Sequence, residues 1–203
     1  TLVSEVSMFA AVALLMGRLG VIEVAAHQIA INFAGRMFMI PLGISAATTI
    51  RVGHALGKQQ PAAARLRGYA GISLAAMCML VTASMMLLFP EQVVSIYSDD
   101  TEVAGLAVQL LFMAAVFQLS DGIQVSAAGA LRGMKDTLFP MLASVVVYWF
   151  FGLPVSYYLG FSQQFGPQGL WMGLVASLTF SAVWLVWRFQ RISRVQVANA
   201  YTQ

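Results

Sequence analysis

Apolar residues run through this chain in long blocks parted by short polar connections, with none of the strict alternation of a half-buried strand. The blocks are far longer than the ~10-residue strands of a membrane barrel. They predict helices over 1–17, 21–52, 69–89, 103–131, 137–160 and 169–187. That is an all-α polytopic membrane protein, a six-helix transmembrane bundle over 1–195 with a polar tail over 196–203. The apolar part of the first block is too short to cross a bilayer, so its helix is expected to begin upstream of Thr1, in a longer polypeptide whose C-terminal part this is.

The 103–131 block is apolar almost throughout, with Glu102 before it and Arg132, Lys135 and Asp136 after it, yet it carries Asp121 in its middle. At 1.5 Å per residue Asp121 lies roughly 16 Å from Arg132, about half the ~30 Å hydrocarbon thickness. An acid at that depth costs about 2.5 to 3.5 kcal/mol on insertion scales, so it is expected to face a partner, a polar cavity or an ion path. Glu5 sits about 18 Å from Gly17 by the same rise, which puts it near the midplane too if Gly17 marks the far surface.

The second block is the most polar. Gln28 and Asn32 are four apart on one helical face with His27 and Arg36 near them, the pattern of a helix lining a wet interior. Pro41 is expected to kink this helix near Ile40. His27 reads as a hydrogen-bonded packing residue, and Arg36 as the partner of an acid. Further on, Asp99 and Thr101 suit a helix cap, with Asp100 and Glu102 in the first turn. Gly129 and Gly133 form a small-xxx-small pattern that permits close helix approach, and Pro140 and Pro154 predict a bent fifth helix.

Composition agrees with a membrane protein: 60% hydrophobic and 9% charged residues lie far from the ~25% charge of a soluble domain. Charge then sets orientation. With six spans, nine of the eleven bases (Arg51, Lys58, Arg65, Arg67, Arg132, Lys135, Arg188, Arg191 and Arg194) fall on one side, while Glu91, Asp99, Asp100 and Glu102 fall on the other. The basic side is cytoplasmic by the positive-inside rule, and with it the C-terminus. A net charge of +3 spread over such connections is no nucleic-acid face. His27 and His54 are isolated, no glycine-rich phosphate loop follows a strand, and no nucleophile is paired with a base, so an enzyme is not expected. Uphill transport by this chain would draw on an ion gradient.

Four segments in order carry a resemblance: Ala25-Ala26-His27-Gln28-Ile29-Ala30, Met39-Ile40-Pro41-Leu42-Gly43, Arg51-Val52-Gly53-His54-Ala55-Leu56-Gly57 and Ala130-Leu131-Arg132-Gly133-Met134-Lys135-Asp136. Together they resemble the C-terminal half of the multidrug and toxic compound extrusion (MATE) family, in its NorM branch. The resemblance implies one six-helix lobe of a twelve-helix transporter in the bacterial cytoplasmic membrane. Such a protein would exchange cationic amphiphilic drugs for H⁺ or Na⁺, with no cofactor beyond the transported ion and with an N-terminal lobe as the partner. Glu5 and Asp121 match the family's membrane-embedded acids for cation coupling, and would be the metal ligands were the ion Na⁺. Phe9, Gln28 and Asp100 resemble positions that contact drug or line the outward cavity, and Asn32, Phe38 and Phe117 complete the expected substrate-facing set. Phe38 and Phe117 stand where some relatives have tyrosine, which leaves the choice between Na⁺ and H⁺ open. A flippase for lipid-linked substrates and a self-assembling six-helix membrane or channel subunit are the alternatives from other classes.

Overall fold

The computed structural model describes residues 2–200, and nearly all of them are helical. Helices α1 (Leu2–Gly17), α2 (Val21–Gly57), α3 (Pro61–Leu88), α4 (Pro90–Ser95) and α5 (Thr101–Gly133) come first. A composite helix follows, built of α6 (Leu138–Val145), a π-helical segment Val146–Gly152, α7 (Leu153–Tyr157) and a second π-helical segment Tyr158–Ser162. The last is α8 (Gly166–Ala200). Five of these units, Val21–Gly57, Pro61–Leu88, Thr101–Gly133, Leu138–Ser162 and Gly166–Ala200, are long and apolar enough to cross a membrane. The sixth, α1, is apolar but has 16 residues.

Helix α5 is the axis of the lobe, packed most extensively against α2 and then against α8 and α3. Its second half is a continuous buried run from Gln124 to Leu131. Lipid offers no hydrophobic drive for helices to associate, so close packing and hydrogen bonds must hold them. A Cβ on Gly129 would stand 2.6 Å from the Ser45 carbonyl oxygen of α2, closer than any real contact. In the same seam Ser45 Oγ donates to the Val125 carbonyl (2.7 Å) and Thr49 Oγ1 to the Gly129 carbonyl (2.8 Å), while Arg132 Nη2 donates to Ser45 Oγ (2.9 Å). The glycine brings the backbones together, and hydroxyls one turn apart then stitch them.

Local physics corrects several expectations. Pro140 falls in the first turn of α6, where a missing N–H costs nothing, and the departure from α geometry begins only at Val146. Pro154 lies between the two π segments; it cannot donate to the preceding turn, and widened turns surround it. Pro41 lies inside one continuous helical segment, Val21–Gly57. Asp100, not Asp99 or Thr101, caps α5: its Oδ1 accepts from the Glu102 N–H (2.9 Å) and the Val103 N–H (3.3 Å).

At the basic end, α8 continues past 187 as far as Ala200, so the start of the expected polar tail is helical. Phe189 explains the extension, being fully buried with its ring edge-on to Tyr69 at 5.2 Å. Arg188 Nε reaches Asp136 Oδ2 at 2.9 Å, the one ion pair among the described residues. Arg36 therefore has no acid partner there; its guanidinium lies over the Tyr97 ring, 5.4 Å from the centroid.

Candidate functional site

Glu5 on α1 and Asp121 on α5 meet inside the lobe. Their carboxyl groups are in hydrogen-bonding contact, and the residues are 5% and 3% exposed. Neither faces the lobe's surface, and the pair is shut off from bulk water in this conformation. Asp121 Oδ1 has no partner among the described residues.

The surrounding shell draws on four other parts of the chain. Tyr148, in the first π-helical segment, lies within electrostatic reach of both acids, and its hydroxyl donates to Gln124 Oε1 at 2.7 Å. Gln124 follows Asp121 by three residues on α5, so one helix supplies the acid and the acceptor that orients the phenol. Three residues before Asp121, Gln118 donates from Nε2 to Thr82 Oγ1 of α3 at 2.7 Å. One turn away on the other side lies an aromatic layer: Phe9 and Phe117 with ring centroids 5.5 Å apart, Phe117 and Trp171 at 5.7 Å, and Trp171 and His27 at 5.7 Å. Phe9 is a turn after Glu5 and Phe117 a turn before Asp121. Contact at both levels means that α1 and α5 run antiparallel, with the carboxyls and the rings stacked in two layers.

The other anticipated residues scatter. Gln28 and Asn32 do share a face, with Asn32 Nδ2 donating to the Gln28 carbonyl (2.7 Å) and Oε1 (3.4 Å), but that face is exposed on the outside of this lobe together with Arg36. Phe38 is half-buried on α2, Asp100 serves as the exposed cap of α5, and Phe117 is a core residue at 2% exposure. His27 is the packing residue anticipated, edge-on to Trp171, although its Nδ1 has no partner among the described residues.

Tyr148, Gln124 and Gln118 were not singled out from the sequence. Tyr148 is hidden in the apolar run Val145-Val146-Val147-Tyr148-Trp149-Phe150-Phe151. The two amides, one turn either side of Asp121, were the signal available, since an apolar helix has little other use for glutamines beside an acid.

Chemically, two carboxylates in contact within a low-dielectric interior repel strongly unless something positive lies between them. A shared proton removes the repulsion. So does a small cation, for which the two carboxyl groups and the free Asp121 Oδ1 offer the oxygen donors that hard cations prefer. The described residues contain no group of three or more His, Cys, Asp or Glu side chains, so a cation would rest on this pair and on neutral oxygens.

Long apolar helices around a sequestered carboxyl pair define an α-helical multi-pass membrane protein with an ionisable core. The sequence model of the MatE family matches residues 1–158, and the chain belongs to that family of multidrug and toxic compound extrusion transporters. It is 46% identical over 200 residues to a probable multidrug resistance protein NorM of Xanthomonas campestris pv. campestris, covering 98% of this chain and 44% of that protein. It is also 46% identical over 195 residues to the multidrug resistance protein PmpM of Pseudomonas aeruginosa, covering 94% of this chain and 41% of that one. The chain thus spans less than half the length of the relatives it matches. In fold it superposes on the crystal structure of MATE in the bent conformation with a TM-score of 0.86 at 19% identity, over 98% of this chain and 44% of that one. The eukaryotic MATE transporter AtDTX14 gives a TM-score of 0.80 at 20% identity, over 95% and 45%.

Proposed function

We propose that this chain forms one six-helix lobe of a cation-coupled multidrug efflux antiporter in the bacterial cytoplasmic membrane, with its C-terminus on the cytoplasmic side. A second lobe would supply the facing wall of the drug path. The observation that carries this reading is the Glu5–Asp121 contact: two acids from helices far apart in sequence, both buried. Relatives named as multidrug resistance proteins support drugs as the transported class; with acids lining the path, these would be cationic amphiphilic compounds.

The mechanism follows from charge. With the pair loaded by H⁺ or Na⁺, α1 and α5 can stay packed around it; with the pair empty, like-charge repulsion favours parting them or admitting water. Loading therefore shifts the balance between two packings without the ion touching the drug. The composite helix is suited to absorb the change, because its π-helical turns already depart from regular hydrogen bonding and one of them carries Tyr148 to the acids. Gln28, Asn32 and Arg36 form a polar stripe that would be costly against lipid, and it suits a drug path between lobes.

The test is drug efflux from vesicles under separately imposed proton and sodium gradients. Efflux driven by one gradient and abolished by its collapse is the expected result. Efflux indifferent to both, or dependent only on ATP, would remove the antiport reading.

A further inference from the structure

A second feature lies far from the carboxyl pair, at the end of the lobe that carries most of the bases. Helices α2 and α3 form an antiparallel hairpin, and between them runs a groove of about 360 Å³. Arg51 of α2 and Arg67 of α3 stand at its upper end; Ile44, Ala47, Leu66 and Leu74 wall the rest. Arg51 is six residues before the end of α2 and Arg67 six after the start of α3, so each is roughly 9 Å inside the hairpin turn. Ile44 and Leu74 are each seven residues further in, roughly 10 Å deeper. The groove thus has a doubly cationic top and an apolar floor, in the order in which a bilayer changes from headgroup to acyl chain.

Both arginines line the groove, and neither charge is compensated. Arg67 Nη1 donates to the Arg51 carbonyl at 3.1 Å, which fixes the Arg67 side chain across the hairpin. Neither forms an ion pair with an acid among the described residues, and neither stacks on an aromatic ring there, whereas Arg36, Arg65, Arg188 and Arg191 each do. Two guanidiniums lining one groove repel, and an anion between them relieves the repulsion while using their planar donor forks. The long apolar floor says what kind of anion: one with a hydrocarbon tail.

We propose that the α2–α3 groove is a binding site for an anionic phospholipid of the leaflet on that side, with the phosphate between Arg51 and Arg67 and an acyl chain along Ile44, Ala47 and Leu74. Basic recesses between membrane helices at the headgroup level take anionic lipids on these terms. The occupant would hold α2 to α3 where the bare guanidiniums push them apart, and this holds whatever the transported substrate.

The test is native mass spectrometry of the protein purified in detergent and stripped of lipid, titrated with phosphatidylglycerol, with phosphatidylcholine of the same chains, and with inorganic phosphate. Phosphatidylglycerol is expected to bind at least tenfold more tightly than phosphatidylcholine. In R51Q/R67Q that affinity should fall roughly thirtyfold, at about fivefold per basic residue, while R191Q/R194Q, which removes two bases from the same end, should leave it unchanged. Should R51Q/R67Q fail to fold, R51Q alone keeps the Arg67 bond to the backbone and should show the fivefold loss. Equal binding of the two lipids, phosphatidylglycerol affinity unchanged in R51Q/R67Q or in R51Q, or inorganic phosphate binding as tightly as the lipid would each overturn the proposal; the last would mean a free-anion site.

Discussion

Glu5 of α1 and Asp121 of α5 touch through their carboxyl groups in the interior of the lobe, both almost wholly withdrawn from solvent. Two acids in a low-dielectric site are stable neighbours only when a positive species is shared between them. The same contact therefore ties helix packing to ion loading, and the first prediction concerns it.

Asp121→Asn preserves shape and hydrogen-bonding capacity but ends the charge competition. Drug accumulation assays should show efflux lost at least tenfold, with membrane insertion and abundance unchanged. Glu5→Gln should behave likewise, and combining the two should cost little beyond either alone, because they act as one unit. Wild-type resistance in the Asp121 variant would take that residue out of the mechanism.

Tyr148→Phe deletes the hydroxyl that donates to Gln124 Oε1 and leaves a buried acceptor without a donor. The expected loss is about 1–3 kcal/mol of stability, read as a lower melting temperature in detergent. The concentration of coupling ion needed for half-maximal transport should also move, since the phenol lies within electrostatic reach of both acids. A variant with altered melting but unaltered ion dependence would confine Tyr148 to structure.

Asp100 is the N-cap of α5. Its Oδ1 accepts two backbone N–H bonds at the start of α5, so Asp100→Ala should cost about 1 kcal/mol, and Asp100→Asn or Asp100→Ser much less, as all three polar residues cap well. Transport by Asp100→Asn should match wild type. A loss of drug affinity there without any change in melting would give Asp100 the substrate-lining role anticipated from the sequence beside its role as cap.

Gly129→Ala places a methyl group into the Ser45 backbone. It should lower stability by about 1–3 kcal/mol by forcing α2 off α5 and stretching the Ser45 and Thr49 hydrogen bonds. Thermal unfolding of that variant, beside Gly105→Ala at a position with nothing near it, makes the comparison. Equal melting of the two would mean that the α2–α5 seam yields to a methyl group without loss.

At the basic end, burial and charge separate cleanly. Phe189→Ala removes a fully buried ring and should cost about 3–5 kcal/mol. Breaking the Arg188–Asp136 pair, whose side chains are 31% and 16% exposed, should cost about 1 kcal/mol or less. The melting temperatures of Phe189→Ala and Asp136→Asn measure both.

Helix type, number and rough position were legible in the sequence because a bilayer imposes one simple demand: every backbone polar group satisfied within a long apolar helix. The rise per residue alone set Glu5 and Asp121 at one level, in line with their contact. Helix ends were less legible. The sequence marks where a helix leaves lipid, and α8 goes on to Ala200 because Phe189 finds a buried seat against Tyr69, a contact between residues far apart in the chain. What touches what was decided only by tertiary structure. Nothing in the Val145–Phe151 run distinguishes Tyr148 from its neighbours until the π-helical turns aim it at the acids, and nothing in the stripe of Gln28, Asn32 and Arg36 tells which way it looks until α2 is laid against α5 by Gly129. Periodicity reports how a helix divides into faces; the rotation of each helix about its axis comes from packing over many turns, and that is where the site is made.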